Sequence, residues 1–408
     1  MLVSKLHDSK EWLEGNRIIA TAFLHPWNED EERATCQAQE TGAKPRLEES
    51  WGLYDDNHHM IACVSTLRHN LFLGGTTIPA GEVHMVGSLP EHRGSGNVRT
   101  LMSTILRSFR ERGDVFALLI PFSFSFYRKF GFELASRTLT QRLPIDQLAG
   151  FTCDYDVERV MTPEGRDVVR TLCDDFARTR NLAELRGDEA WEWHDCGEWG
   201  ERDFLHQDCQ PYTYLLRDHE GIAHAYVTFI YITGAQGPFV GELRVCDLSY
   251  DCPRALWNVL GFLYRMRAKV THVTLELDDL DLATILPESE QVERTLGGHV
   301  MARMLDIPRA LSLMPHPQHA GSYVIEVEDV FLPEVGGRWR VSFDDQNLAR
   351  VAPTGDNADL AVSEQALVQL VTGRTGLSGA LFRHDVRVFS NETLLRETFT
   401  QRNVCLSL

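Results

Sequence analysis

Residues 81–99 have the sequence Gly81-Glu82-Val83-His84-Met85-Val86-Gly87-Ser88-Leu89-Pro90-Glu91-His92-Arg93-Gly94-Ser95-Gly96-Asn97-Val98-Arg99. The first part is largely apolar with interior glycine, which predicts a strand whose backbone is closely approached, and Pro90 ends it. After the turn, apolar residues recur at helical spacing at positions 101, 102, 105, 106 and 109. Residues 115–120 predict a short buried strand. The predicted order is therefore strand, glycine-containing turn, helix and strand.

The turn before this helix has the features of a phosphate-binding loop. A helix start leaves several backbone N–H groups without partners and carries the positive end of the helix dipole. Gly94 and Gly96 allow the backbone to wrap an anion, and Arg93 and Arg99 add positive charge. A glycine pair before a helix is also common in ordinary turns, so other motifs must support the interpretation.

A second motif follows one strand later, in a segment predicted to be a loop, where the sequence is Tyr127-Arg128-Lys129-Phe130-Gly131-Phe132. With the strand and turn, it resembles the acyl-CoA motif and the closing Y-x-x-F-G-F of the GNAT N-acetyltransferases. The combination of His92-Arg93-x-x-Gly96-x-x-Arg99 with Phe126-Tyr127-x-x-Phe130-Gly131-Phe132 is similar to the enhanced-intracellular-survival (Eis) family. The resemblance implies a mixed α/β (α+β) chain, with tandem GNAT folds followed by a sterol-carrier-like domain.

Composition limits the classes of function. The 408 residues suggest two to three domains, and a net charge of −19 disfavours binding to nucleic acid or anionic membranes. The same charge can steer cationic substrates, although it also fits simple solubility. The nine cysteines are scattered without a C-x-x-C pair, which indicates neither a disulfide framework nor a zinc site. With no signal peptide or long apolar run recognised, we expect a cytoplasmic protein.

The region before the glycine turn predicts helices and a hairpin. Residues 10–34 can carry one or two helices, and the acidic run at 29–32 fits a solvated face or, with Phe23 and Trp27, a pocket for a cationic substrate. Residues 51–54 and 60–67 predict a hairpin, so two strands are expected before residue 81. His58 and His59 lie in its turn, where a solvated pair is more common than a metal site.

The predicted order of hairpin, strand, helix and strand then recurs later in the chain. Segments 212–216, 223–230 and 241–248 predict three strands, and helix 255–263 and strand 273–277 follow at similar spacing. Its turn at 249–254 has no glycine, so we infer a duplicated fold whose second copy lacks a cofactor site. Segments 323–327, 337–343 and 358–362 predict strands of a third region, followed by a helix capped by Ser363. The expected domains are a GNAT domain at 1–150, a second GNAT-like domain at 151–304 and a sterol-carrier-like domain at 305–408.

Acetyl transfer to an amine needs a base for the ammonium proton, donors for the thioester carbonyl and an acid for the leaving thiolate. The resemblance implies acetyl-CoA as cosubstrate, with its carbonyl and pantetheine held by the backbone of Val86, Gly87 and Ser88 on a splayed strand edge. It assigns the diphosphate to Arg93, Gly94, Ser95, Gly96, Asn97, Val98 and Arg99, and it adds Phe122 and Ser123 to the cofactor site. Gly94, Ser95 and Asn97 depart from the arginine-rich family pattern, so binding is weaker or depends more on backbone groups.

The resemblance also implies two catalytic groups. Tyr127 matches the family acid, and the alternative is a core aromatic among the neighbouring phenylalanines. The base is the terminal carboxylate of Leu408, folded back into the first domain, and the alternative is a free, disordered terminus.

The predicted function is acetyl-CoA-dependent N-acetyl transfer by direct attack. The expected acceptor is a polycationic amine such as an aminoglycoside or a lysine-containing peptide, and the family resemblance implies a homohexamer. Two alternatives stay open at this point: a non-catalytic lipid- or ligand-binding protein with degenerate acetyltransferase domains, and acetyl transfer to one specific partner protein.

Overall fold

The computed structural model describes residues 1–188, 191, 211–234, 237–277, 280–346 and 348–404. The chain forms two compact units. The first joins Met1–Ala135 to His299–Arg402, and the second contains Ser136–Gly298 with Asn403 and Val404. The mixed α/β class predicted from the sequence is confirmed.

The N-terminal part of the first unit is a sheet with helices packed on it. Its strands are β1 Leu2–Lys5, β2 Glu49–Tyr54, β3 Met60–Leu73, β4 Thr76–Ser88, β5 Phe116–Leu119 and β6 Glu133–Leu134. Its helices are α1 Ser9–Phe23, α2 Glu29–Glu40, α3 Asn97–Glu111 and α4 Phe124–Arg128. Strands β1 to β4 are antiparallel neighbours, and β4 pairs parallel with β5. The predicted strand, turn, helix and strand are therefore confirmed.

Two expectations for this part were wrong. Three strands precede β4, because β1 pairs antiparallel with β2. A strand of four residues is too short to show an alternating pattern in the sequence. The predicted tyrosine-containing loop is the short helix α4, whose first turn is capped where the Ser123 hydroxyl accepts a hydrogen bond from the Phe126 N–H at 3.4 Å.

Glycines in β4 allow the helices to approach its backbone. A Cβ atom at Gly81 would collide with the Phe109 ring of α3, and one at Gly87 would lie 3.0 Å from the Ala22 Cβ atom of α1. The apolar residues of α3 at positions 101, 102, 105, 106 and 109 are all buried. The close approach predicted for β4 is therefore made, at these two glycines, by the protein's own helices.

The second unit repeats the order of the first. Its strands are β7 Thr138–Pro144, β8 Asp156–Arg159, β9 Pro211–Arg217, β10 Ala223–Gly234, β11 Gly237–Tyr250, β12 Val270–Glu276 and β13 Glu293–Gly297. Its described helices include α5 Pro163–Arg178 and α6 Pro253–Tyr264. Strands β9 to β11 are antiparallel neighbours, and β11 pairs parallel with β12, as β4 does with β5. The predicted duplication is confirmed.

The two copies differ in the segment that corresponds to the glycine turn of the first copy. Residues 89–96 separate β4 from α3, whereas only Asp251 and Cys252 separate β11 from α6. Helix α6 also begins with Pro253, which has no N–H group to offer an anion. The second copy therefore has no loop comparable to the one at residues 89–96.

The C-terminal part of the first unit is a second sheet with short helices. Its strands are β14 Met301–Met304, β15 Gly321–Glu328, β16 Gly337–Phe343, β17 Ala349–Pro353, β18 Leu360–Ser363 and β19 Val386–Val388. Its helices are α7 Ile307–Leu313, α8 Glu364–Thr372, α9 Leu377–Ala380 and α10 Glu392–Thr398. The separate sheet has the order β17-β16-β15-β18-β19, of which β17 and β19 were not predicted. Ser363 caps α8 as predicted, because its hydroxyl accepts from the Ala366 N–H at 3.1 Å.

The chain changes unit at positions different from the domain boundaries expected at residues 150 and 304. Strand β7 pairs with β12 and β13 in the second unit, and β14 lies between β5 and β6 in the first. The compact units accordingly change at residues 135–136 and 298–299. A single strand pattern does not show which sheet will accept it, so this pairing could not be predicted locally.

Candidate active site

Strands β4 and β5 separate beside the glycine turn. Their parallel pairing ends at Glu82 and Leu118, although β4 continues to Ser88. On its other edge β4 stays paired with β3 up to Ser88, with an irregularity opposite Ser65 and Thr66. Beyond Glu82, alternate backbone groups of β4 therefore face an open edge. Val86, Gly87 and Ser88 thus lie on the part of β4 that continues beyond its pairing with β5, and their role in holding the cofactor stays a prediction.

The glycine turn presents a row of backbone N–H groups that have no partner in the part of the chain that the structure describes. Gly94 and Gly96 have φ angles of 84° and 85°, and a Cβ atom at either position would meet nothing within 4 Å. The left-handed conformation, not crowding, therefore requires glycine here. The N–H groups of residues 94–99 form no hydrogen bond with any residue in the described ranges, and the Thr100 N–H begins the helical ladder by donating to the Gly96 carbonyl at 3.1 Å. This geometry fits a phosphate.

The polar side chains of the turn hold its shape. The Ser95 hydroxyl and the Asn97 amide both donate to the His92 carbonyl oxygen, at 2.6 Å and 2.9 Å. Asn97 is only 4% exposed, and its Oδ1 atom accepts no hydrogen bond within the described part of the chain. These two side chains stabilise the conformation of the turn and do not use its N–H groups, which can therefore bind a ligand.

The two arginines of the predicted site contact protein groups outside the turn. The Arg93 guanidinium donates to the Ala22 carbonyl of α1 at 3.1 Å and to the Ser88 carbonyl at 3.5 Å. The Arg99 guanidinium lies over the Phe331 ring, 4.9 Å from its centroid. Binding of an anion in this turn would therefore depend mainly on backbone N–H groups, and the assignment of both arginines to the cofactor stays a prediction.

Tyr127, on α4, lies in a cluster of aromatic rings. It is 5% exposed, and the rings of Phe122, Phe126, Phe130 and Phe132 lie 5.2–6.4 Å from its own. Burial raises the pKa of Tyr127 to about 12. Its hydroxyl forms no hydrogen bond with any residue that the structure describes, whereas buried phenols usually find a partner. The ring is thus a packed aromatic, and its hydroxyl is available to a ligand.

Phe122 and Ser123 occupy different environments. Phe122 is 70% exposed and packs one side of its ring on Phe126 and Tyr127. The Ser123 hydroxyl caps α4, the helix that carries Tyr127. Phe122 can therefore contact a ligand directly, whereas Ser123 positions the tyrosine-bearing helix.

A buried charge cluster supports the Phe130-Gly131-Phe132 segment. Arg303 is fully buried, and its guanidinium donates to the Phe130 carbonyl and to the Asp329 carboxylate. Gly131 has a φ angle of 81°, and a Cβ atom there would collide with Arg303 and with Glu364. Burial, with the nearby Asp329 charge, raises the pKa of Glu364 to about 7. The glycine of the motif is therefore required by both its conformation and its neighbours.

A second polar cluster lies on β3 and β4 and was not predicted from the sequence. The buried Glu82 carboxylate forms hydrogen bonds with His69 Nε2 at 2.8 Å and His84 Nδ1 at 3.2 Å. Burial alone would raise the pKa of Glu82, but these two histidines outweigh it and lower the pKa to about 2. The available signal was Glu82-Val83-His84, which puts two polar residues two apart in an otherwise apolar strand.

The other candidates from the sequence lie outside this glycine turn and aromatic cluster. The acidic run at 29–32 opens α2, where Glu29 forms ion pairs with Arg17 and Arg33. Leu408 lies outside the described residues. Within the described ranges, no group of three or more His, Cys, Asp or Glu side chains is arranged to hold a metal ion. No helix in the part of the chain that the structure describes has the length and apolar character needed to cross a membrane.

Comparison with known proteins agrees with this geometry. Residues 4–135 match the acetyltransferase (GNAT) domain, and residues 307–407 match the sterol carrier protein domain. The chain therefore contains a GNAT acetyltransferase domain, and relatives of similar length are named N-acetyltransferases. An uncharacterised N-acetyltransferase of Streptomyces griseus is 26% identical to it over 387 residues, which cover 90% of this chain and 88% of the relative. Another from Streptomyces coelicolor is 26% identical over 366 residues, 82% of each chain.

Solved structures share the fold of this acetyltransferase along the whole chain. Eis1 from Mycobacterium abscessus has a TM-score of 0.79 at 20% identity, covering 99% of this chain and 98% of its own. A probable N-acyltransferase from Enterococcus faecalis has a TM-score of 0.80 at 19% identity, covering 100% and 99%. The predicted architecture of GNAT domains followed by a sterol-carrier-like domain is confirmed.

Proposed function

We propose that this acetyltransferase binds acetyl-CoA at the turn of residues 89–96 and transfers its acetyl group to a primary amine by direct attack on the thioester. The single observation that carries the proposal is the run of N–H groups from Gly94 to Arg99 that have no partner among the described residues, beside the open edge of β4. Several N–H groups converging at the start of a helix stabilise a diphosphate through hydrogen bonds and the helix dipole.

The open edge of β4 supplies the other half of the cofactor site. A thioester lying along residues 86–88 would meet backbone donors at the carbonyl oxygen, where negative charge develops during attack. Pantetheine has amide groups that can continue the pairing of a strand edge, in the manner of an added strand. Both roles need only the backbone, which fits the small side chains of Gly87 and Ser88.

Tyr127 acts on the leaving group as a hydrogen-bond donor. Its pKa of about 12 lies above the ordinary thiol pKa of about 8.5, so full proton transfer to the thiolate is unfavourable. A phenol that keeps its proton still donates a strong hydrogen bond to an anion. A hydroxyl without a described partner, on a side chain that is 5% exposed, is suited to that task.

The acceptor is a polycationic amine, for which an aminoglycoside or a lysine-containing peptide is the model. The support is the net charge of −19, which draws cations toward the protein surface. The family resemblance assigns the base to the Leu408 carboxylate.

A pair of glycine variants tests the cofactor site. Gly96 and Gly113 stand at opposite ends of α3 with φ angles of 85° and 89°, and a Cβ atom at either would meet nothing within 4 Å. Alanine at either position therefore causes a similar backbone strain, which costs about 1–2 kcal/mol. Only Gly96→Ala alters the proposed anion site, and we expect it to weaken acetyl-CoA binding about tenfold or more, while Gly113→Ala leaves it unchanged.

Isothermal titration calorimetry gives both dissociation constants, and thiol release with a panel of amines gives turnover. Equal acetyl-CoA affinity for the two variants would place the diphosphate elsewhere. Bound lipid with no acetyl-CoA binding by the native protein would support the alternative of a non-catalytic ligand-binding protein.

A further inference from the structure

The Glu82 cluster stands at the point where β4 and β5 separate. Glu82 is the last β4 residue paired with β5, and His84 is two residues further along the unpaired part of β4. His84 has no partner in β3, because Met85 pairs with Ser65 and Val83 with Thr66, and two residues further along stands Val86, whose backbone is proposed to hold the thioester. At about 3.3 Å per residue, His84 and Val86 are roughly 7 Å apart along the strand. A side chain at position 84 therefore lies within reach of an amine that attacks the acyl group.

His84 is held in an orientation that leaves one ring nitrogen for chemistry. Its Nδ1 atom lies 3.2 Å from the Glu82 carboxylate, and its Nε2 atom lies 3.8 Å from the Glu48 carboxylate. The His84 side chain is 40% exposed, whereas Glu82 is buried. A carboxylate that accepts from Nδ1–H fixes the tautomer in which Nε2 carries a lone pair. This is the geometry of a histidine base with an orienting carboxylate.

We propose that His84, oriented by Glu82, takes the proton from the acceptor's ammonium group, a role that the family resemblance assigned to the Leu408 carboxylate. The proposal rests on the proposed function. One ammonium proton passes to His84 Nε2 and then to solvent. The freed lone pair forms the C–N bond, the C–S bond breaks, and the thiolate takes up the second nitrogen proton as the amide forms. The net products are an amide, a thiol and one released proton.

The charges around His84 suit this task. The groups that act on it are Glu82 on the same strand, Glu48 before β2, and His69 on β3. The hydrogen bond to Glu82 is the main cause that raises the pKa of His84, against the opposing effect of burial. A raised pKa makes the imidazole a stronger base, closer to the pKa of an alkyl amine. Glu48 places a second carboxylate where an ammonium group would approach.

Two variants and two acceptor amines test the assignment. An alkyl amine has a pKa of about 10.4 and needs a base at neutral pH, whereas an α-amino group with a pKa of about 8 needs one much less. We expect His84→Gln to lower kcat/KM for the alkyl amine by about 100-fold or more and for the α-amine by far less, with acetyl-CoA affinity unchanged. His59→Gln, at an exposed turn, is the matched control and should change neither rate.

Glu82→Gln supplies a readout that a merely structural role would not move. Because Glu82 raises the pKa of His84, its removal should shift the acidic limb of the profile of log kcat/KM against pH to lower pH. The proposal would be overturned if the acidic limb of the pH profile did not move in Glu82→Gln. It would also be overturned if His84→Gln lost the same factor of kcat/KM with both amines. Since His84 is partly exposed, its variant can be measured even if Glu82→Gln fails to fold.

A chain ending at Val404 separates the two candidate bases. If His84 is the base, this chain keeps the acidic limb and most of its rate with the alkyl amine. Loss of the limb in the shortened chain, with full activity in His84→Gln, would give the role to the Leu408 carboxylate and overturn the proposal. If native protein binds no acetyl-CoA, the proposed function itself fails and this inference with it.

Discussion

Tyr127→Phe removes one hydroxyl group and keeps the aromatic ring with its neighbours. In the structure the Tyr127 side chain is 5% exposed, and its hydroxyl forms no hydrogen bond with any described residue, so its removal breaks no hydrogen bond within the described chain. Because no hydrogen bond within the described chain is lost, the variant should be about as stable as the native protein. A donor aimed at developing charge contributes about 100- to 1,000-fold to kcat, and we expect a loss of that size.

Tyr323→Phe is the matched control. Tyr323 is fully buried in the C-terminal sheet, and its hydroxyl also has no hydrogen-bond partner within the described chain. The same chemical change should give the same small change in stability, measured by urea denaturation, but no change in kcat. Thiol release at saturating acetyl-CoA measures kcat, and calorimetry should show that neither variant loses acetyl-CoA affinity.

Two results would refute this account. Full activity of Tyr127→Phe would show that the hydroxyl does not act on the leaving thiolate. An equal loss of kcat in Tyr323→Phe would show that activity responds to any change in a buried phenol, since Tyr323 lies in the C-terminal sheet, outside the residues assigned to the active site.

Further predictions concern the support of the active site. Arg303→Leu leaves the Asp329 carboxylate buried and uncompensated, so urea denaturation should show a loss of about 3–5 kcal/mol; Arg107→Ala, which breaks an exposed ion pair with Glu334, should cost no more than about 1 kcal/mol. Burial raises the pKa of Glu364 from 4.5 to about 7, so the folded protein binds more protons than the unfolded chain in that window and loses stability as pH rises through it. Glu364→Gln should remove this loss, and parallel curves of stability against pH for the two proteins would contradict it. Ser363→Ala removes the cap of α8 and should cost about 1 kcal/mol in the same assay, with no loss if the cap is unimportant.

Much of the fold could be predicted because it is encoded in local patterns. The apolar spacing of α3, the glycines at 94 and 96 and the cap at Ser363 each show in a few neighbouring residues, and each is present in the structure. The duplication was also visible in the sequence, because both copies have the same order of strands and helix at similar spacing. Short elements such as β1 left too little pattern to recognise.

Local pattern in the sequence determined the order of strand, glycine turn, helix and strand, and with it the turn proposed to bind the cofactor, because left-handed turns and helix starts depend on residues adjacent in the chain. The tertiary structure alone decided that β14 enters the first sheet, that Arg93 and Arg99 contact protein outside the turn, and that His69 and His84 meet at Glu82. These contacts join residues that are far apart in the sequence or whose spacing follows no helical or strand period. Their energies arise only when burial and charge bring the side chains together.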